Sequence, residues 1–276
     1  MSATVESWSG KDRADENFPV GSVLIGARLR PHVHAFYAFA RNADDIADSP
    51  VLEAADKITR LDVMEAVLLG QSDAGSPSGI LLRDSLAMTG VTSRHACDLL
   101  VAFRQDATKH RYASWNELLD YCRYSAMPVG RHLLDLHGET RDTWPPSDDL
   151  CAVLQVLNHL QDGAKDLAAL DRCYLPDDLM RYHATGPDDL RAPAATAGMR
   201  AVLDALLDRC DALNAGAARL PSRVRDRRLR LETAVIAGLA RRLAARLRAG
   251  DPVATRVALT RADGAFSILG AMRFLR

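Results

Sequence analysis

No stretch of the 276 residues approaches the roughly 20 consecutive apolar positions that span a bilayer. The N-terminal run MSATVESWSGKDRADENF also lacks the apolar segment of a secretory signal. Cysteine is sparse: five residues, at 97, 122, 151, 173 and 210, with no CxxC pair and an odd total. That scatter suits reduced thiols in the cytosol better than a disulfide framework or a zinc site. An excess of one charge is missing too, since 35 Lys and Arg balance 36 Asp and Glu. No global field for nucleic acid or anionic lipid is therefore expected. There is no GxGxxG fingerprint, hence no positive sign of a nicotinamide site. Together these absences predict a soluble cytoplasmic protein, at most peripheral at the inner face of a membrane.

What remains is rich in Ala, Leu and Arg, 48% hydrophobic, and patterned with helical rather than strand-like periodicity. The expected helices cover 31–48, 51–70, 78–89, 93–108, 114–138, 147–170, 197–219, 223–249 and 252–274. Ser114-Trp115-Asn116-Glu117 reads as a capping box, and Ser147-Asp148-Asp149 as a cap with acids at a helix start. Gly138 and Gly250 suit helix stops. Neither ETRDTWPP (139–146) nor ATGPDD (184–189) is long enough to separate domains. The reading is one all-α domain over 1–276, a single helical bundle. The arginine-rich run RVRDRRLRLE (223–232) reads as a solvated helix face, being interrupted by acids and apolar residues.

The sharpest local signal is RNADDIADSP (41–50), which crowds Asp44, Asp45 and Asp48 beside Arg41. Like charges four apart on a helix repel by a few tenths of a kcal/mol, so something should compensate the crowding. Tyr37, Arg41, Asp44 and Asp48 share one helical face. A second polar stripe, Gln155, Asn158, Asp162 and Asp166, runs along LQVLNHLQDGAKDL (154–167). Both lie on otherwise apolar helices, which points them inward around a cavity. Hard oxygen donors in this pattern suit Mg2+, which keeps several waters and bridges to phosphate. Acids four apart also recur by chance on solvated faces, so spacing alone leaves a metal–diphosphate site and ordinary surface rows both open. In YCRYSAMPVG (121–130), Ser125, Ala126 and Gly130 are small and Pro128 interrupts the hydrogen-bond ladder. Such a face admits a long apolar chain, or close helix packing.

DDIAD (44–48), YCRYSAMPVG (121–130), NHLQDGAKD (158–166) and RCYLP (172–176), in this order along the chain, resemble the squalene and phytoene synthase family. ENFPVGS (16–22), FYAFARNADDIAD (36–48) and YCRYSAMPVGR are similar to its bacterial HpnC branch, which makes hydroxysqualene in hopanoid biosynthesis. The resemblance implies an isoprenoid synthase fold around a central cavity and a prenyl diphosphate substrate. It implies metal binding by Asp44, Asp45, Asp48, Asn158, Asp162 and Asp166, with Tyr37 and Arg41 bordering the diphosphate. Asn17, Phe18, Tyr121, Ser125, Ala126, Val129, Leu154, Gln155 and Tyr174 fall at substrate-binding positions.

Two departures bear on the substrate. Condensing relatives commonly carry a serine–lysine element where this chain has Glu16-Asn17-Phe18-Pro19, and an arginine where it has Gln161. Fewer cations suit one diphosphate rather than two, as in presqualene diphosphate; Lys165 could replace part of the charge. The implied reaction is ionisation of presqualene diphosphate, rearrangement of the cation and addition of water, for which His159, Gln155 and Tyr124 are candidate positioning groups. The rivals are a head-to-head condensing synthase and a non-catalytic synthase-like assembly factor. His32-Val33-His34 reads as no metal site and Trp144 as packing. AFSILGAMRFLR (265–276) reads as completing the core, with membrane contact as its other reading.

Overall fold

The computed structural model describes residues 4–6 and 24–275. The expected substrate contacts Asn17 and Phe18, with the rest of the Glu16–Pro19 stretch, lie outside the described residues. Among the described residues every regular element is helical. In chain order the α-helices are α1 (Arg30–Ala47), α2 (Ala54–Leu68), α3 (Pro77–Thr89), α4 (Arg94–Asp106), α5 (Trp115–Ser125), α6 (Met127–Leu136), α7 (Trp144–Leu170), α8 (Asp177–Tyr182), α9 (Ala197–Ala217), α10 (Leu220–Arg223), α11 (Arg227–Ala249) and α12 (Arg261–Ala271). No helix among the described residues is long and apolar enough to cross a membrane.

Three of the differences from expectation have a plain local cause. The helix expected over 114–138 is two, because Ala126 (φ −128°, ψ −46°) leaves the helical region and α6 restarts with Pro128 in its first turn. That turn has no helical partner for its N–H groups, so the missing N–H of proline costs nothing there. The same reason moves the start of α7 from Ser147 to Trp144, with Pro145 and Pro146 inside its first turn. Residues 251–260 precede α12 rather than belonging to it. Asp251 accepts from the Ala195, Val253 and Ala254 amides, and the Thr260–Asp263 capping box begins the helix. At α5 the Ser114 hydroxyl caps the Glu117 amide as expected, but the Glu117 carboxylate reaches back to the Ala113 N–H.

The chain forms two compact units. The first comprises the described residues up to Lys109 with Pro128–Glu139. Here α1 packs against α2, α3 and α4. Its apolar face (Phe36, Phe39, Ala43, Ile46) meets Leu61 and Met64 of α2, Leu82 of α3 and Leu99, Leu100 and Phe103 of α4. Each large buried side chain contributes about 1.5–3 kcal/mol. Within this core His132 stacks on Phe36 (centroids 3.8 Å, 11°) and meets His95 edge-on at 6.2 Å. His95 Nε2 lies 2.8 Å from Asp135 Oδ2, and His32 Nδ1 lies 2.8 Å from the Ser85 hydroxyl. Burial, followed by His95 and His32, lowers His132 to about 3.

The second unit comprises residues 110–127 and 140–276. The long α7 packs against α5, α9 and α11, and α12 lies on α11. Gly238 permits the last contact: a Cβ there would sit 3.1 Å from both side-chain atoms of Ser267. Of the described residues in the C-terminal run expected in the core, only Ser267 and Ala271 are buried. No disulfide joins the five cysteines, and Cys122, Cys173 and Cys210 are buried. Burial, ahead of any charge, pushes Cys97 and Cys173 up to about 11 and Cys122 to about 12, and raises Cys210 further.

Candidate functional site

In the first unit α1 carries the row its spacing predicts. Tyr37, Arg41, Asp44 and Asp48 are all half-buried on the face of a helix whose other side is fully packed. Arg41 organises the acids, reaching Asp44 Oδ2 at 3.1 Å and Asp45 Oδ1 at 2.5 Å. Asp45 therefore differs from its neighbours: its side chain is 3% exposed and turned onto the guanidinium. Burial first, then the like charge of Asp48, pushes the Asp44 carboxyl up to about 8 against the opposing pull of Arg41. Asp106, at the end of α4, adds to that push. Solvent still reaches 35% of the Asp44 side chain, so a hydrated cation can reach it as well.

In the second unit Gln155, Asn158, Asp162 and Asp166 line one half-buried face of α7, while Val153, Val156, Leu157 and Leu160 fill the core side. Leu154 shares the half-buried face. The segment 251–260 adjoins this row. Gln161 donates to the Val257 carbonyl at 2.6 Å, and Arg256 Nε donates to Asp162 Oδ1 at 2.8 Å. Gln161 thus serves as a tether, and the cation beside Asp162 comes from 94 residues further along the chain.

Beside that row is an aromatic cluster. His159 stacks on Tyr174 with centroids 3.5 Å apart and planes 15° apart. Tyr121 lies 5.5 Å from Tyr174 and 6.1 Å from His159, and Tyr112 lies 5.3 Å from Tyr121 and 5.5 Å from Tyr174. The buried Arg172 donates to the Tyr174 hydroxyl at 3.1 Å. Burial, and secondarily Arg172, lowers His159 to about 3, so the ring is neutral near pH 7 and can accept from the Gln155 amide nitrogen 3.2 Å away. The three tyrosines and His159 are all more than nine-tenths buried and pack on one another.

Ser125 and Ala126 lie at the break between α5 and α6, where the Ser125 hydroxyl is a buried atom without a hydrogen-bond partner. Val129 is 38% exposed. Tyr112, Asp106, Arg172 and Arg256 were not singled out from the sequence as site residues. Only Arg172 had a local signal, since it opens RCYLP; the others gain their roles through contacts distant in sequence. Among the described residues no three His, Cys, Asp or Glu side chains close into a metal cage. Rows of carboxylate and amide oxygens without a cage fit Mg2+, which takes one or two carboxylates and completes its octahedron with water and phosphate oxygens.

Comparison with known proteins extends this description. The sequence model of squalene/phytoene synthases matches residues 11–263. The chain is 44% identical to a hydroxysqualene synthase of Rhodopseudomonas palustris, over 99% of this chain and 93% of the relative. It is 45% identical to one of Sinorhizobium fredii, over 94% and 88%. Among solved structures it is similar to the squalene synthase HpnC from Alicyclobacillus acidocaldarius, with TM-score 0.75 and 33% identity over 86% of this chain and 90% of that one.

Proposed function

The chain belongs to the squalene/phytoene synthase family, with its all-α isoprenoid synthase fold, and on that premise we propose that it is a hydroxysqualene synthase of hopanoid biosynthesis. It acts on a prenyl diphosphate, converting presqualene diphosphate and water to hydroxysqualene and diphosphate. The observation that carries the choice of reaction is the extent of the likeness to hydroxysqualene synthases. It runs at 44% identity over nearly the whole chain and spans both acidic rows and the aromatic cluster.

Mg2+ is the metal the donor sets suit, and bound there it supplies positive charge to the departing diphosphate. Asp44, Asp48, Asn158, Asp162 and Asp166 would hold it. Asp45 belongs to the same set from the sequence, and its pairing with Arg41 gives it the task of fixing that guanidinium. Arg41 and Tyr37 orient the diphosphate, and Arg41 keeps the acids from repelling one another. Tyr121, Tyr174 and Tyr112 shield the cyclopropylcarbinyl cation from bulk water. Ser125, Ala126, Val129 and Leu154 bound the prenyl chains. The cation rearranges to the 1-1′ linkage and is captured by one water. The lone pair of neutral His159 that faces Gln155 is the base for the proton that this water loses, the Gln155 amide turning aside as the water arrives. A long-chain substrate and product of this kind suit a position at the cytoplasmic face of a membrane.

The experiment is incubation of the purified chain and Mg2+ with presqualene diphosphate and, separately, with farnesyl diphosphate. Hydroxysqualene from the first and no turnover of the second is expected. Consumption of farnesyl diphosphate with presqualene diphosphate inert would make the chain a condensing synthase. Inertness towards both, with a cellular role that survives loss of Asp44 and Asp162, would make it non-catalytic.

A further inference from the structure

Helix α12 is turned inside out for a helix facing water. The stripe it buries against α11 is Asp263, Ser267 and Ala271. Phe266, Ile268, Leu269 and Met272, with Leu275 in the following turn, are all more than half exposed, Leu269 reaching 64%. A soluble surface scatters such residues singly, whereas a contiguous set marks a surface that something apolar covers.

The polar side of the arrangement says what covers it. Asp263 is satisfied inside the fold by the Thr260 amide and hydroxyl and by Arg246 Nε at 2.5 Å. Ser267 is not: its hydroxyl is 96% buried by residue and has no hydrogen-bond partner. It lines a groove of about 320 Å³ between α11 and α12, together with Arg241, Arg242, Arg273, Phe266 and Phe274. The Arg242 guanidinium lies 4.7 Å over the Phe266 ring, and that of Arg273 lies 4.8 Å over Phe274. Charge is also segregated here. Residues 221–276 hold thirteen arginines and four acids in a chain that is nearly neutral as a whole. Apolar side chains projecting outward, rimmed by guanidinium groups and an unused hydroxyl donor, match a layer that is apolar inside and anionic at its boundary. Arginine stems can lie along that boundary while their heads stay at phosphate depth.

We propose that α12 docks on an anionic phospholipid membrane, its apolar face among the acyl chains and a headgroup phosphate seated in the groove between Arg241, Arg273 and Ser267. This surface is independent of which prenyl diphosphate is turned over.

The test is co-sedimentation of the full chain with vesicles of phosphatidylcholine alone and of phosphatidylcholine mixed equally with phosphatidylglycerol. Wild type partitions to the mixed vesicles, less so at high salt, and stays in the supernatant with the neutral ones. Arg241→Gln with Arg273→Gln lowers the partition by roughly thirtyfold. Ile268→Ser with Leu269→Ser abolishes it. Both double variants keep the wild-type melting temperature and turnover in detergent. If the glutamine pair melts early, Arg241→Lys with Arg273→Lys preserves the charge and retains binding. Inorganic phosphate at matched ionic strength releases the chain from vesicles no better than chloride does. The proposal is overturned if wild type ignores mixed vesicles or binds neutral ones equally, or if phosphate binds without vesicle partition. A solution dimer that Leu269→Ser splits would also overturn it, because a second copy would then cover the face.

Discussion

Arg256 donates through Nε to Asp162 at 2.8 Å, so a guanidinium holds the carboxylate expected to bind metal. The arginine is half exposed and the aspartate 22% exposed, which limits the pair to at most about 1 kcal/mol. A divalent cation that takes Asp162 Oδ1 displaces it. Arg256→Ala is therefore expected to tighten Mn2+ binding by no more than about fivefold, read by titration of the metal's spectroscopic signal. Unchanged affinity would remove Asp162 from the metal set.

The two acidic rows are expected to act in common. Asp44→Asn and Asp162→Asn should each lower turnover of presqualene diphosphate by roughly 10²–10³-fold. The double variant should lose little more than the worse single one, since groups that act as a unit are non-additive. Losses that multiply would assign the rows to separate tasks.

Asp44 carries a pH prediction for stability. Its folded pKa of about 8 exceeds the ordinary carboxyl value of 3.8, so its effect on stability declines as pH rises from about 4 to 8 and levels off above. Asp44→Asn removes that decline. In metal-free protein the melting temperature of the variant should exceed that of wild type by a margin that widens from pH 5 to 8. Added Mg2+ should narrow the margin, and a constant margin without metal would refute the assignment.

His132 has the opposite sign. Its folded pKa of about 3 lies below the ordinary 6.5, so its effect is fully favourable above 6.5 and is lost as pH falls towards 3. The slope is about 1.4 kcal/mol per pH unit for one proton. His132→Phe keeps the stack on Phe36 and removes a buried Nε2 that has no partner. The urea midpoint of this variant should fall less between pH 7 and 5 than that of wild type. His159, shifted the same way, keeps an acid-labile share in both proteins.

What could be read in the sequence follows from the range of the forces involved. Local patterns placed α1 within a residue, because Pro31 opens a helix whose apolar side repeats at helical spacing. They also put Asp44 with Asp48, and Asn158 with Asp162, on single faces. They failed where a partner lies far away. The stretch 251–260 keeps helical composition, yet it forms a turn and a non-helical run held by Ala195, Gln161 and Asp162. Proline misled in the other direction: Pro145 and Pro146 read as a connection and instead begin α7. The inverted polarity of α12 was invisible because periodicity reveals that a helix has two faces without saying which one turns inward.

The sulfur chemistry of the chain has a practical consequence. At neutral pH a thiol that ionises only near 11 or 12 presents almost no nucleophile to maleimides or iodoacetamides. Cys97, Cys122, Cys173 and Cys210 are thereby nearly silent, and replacing Cys151 as well leaves no other native thiol to compete. A single cysteine engineered at Met272 could then carry an environment-sensitive fluorophore, reporting in real time when the C-terminal helix leaves water.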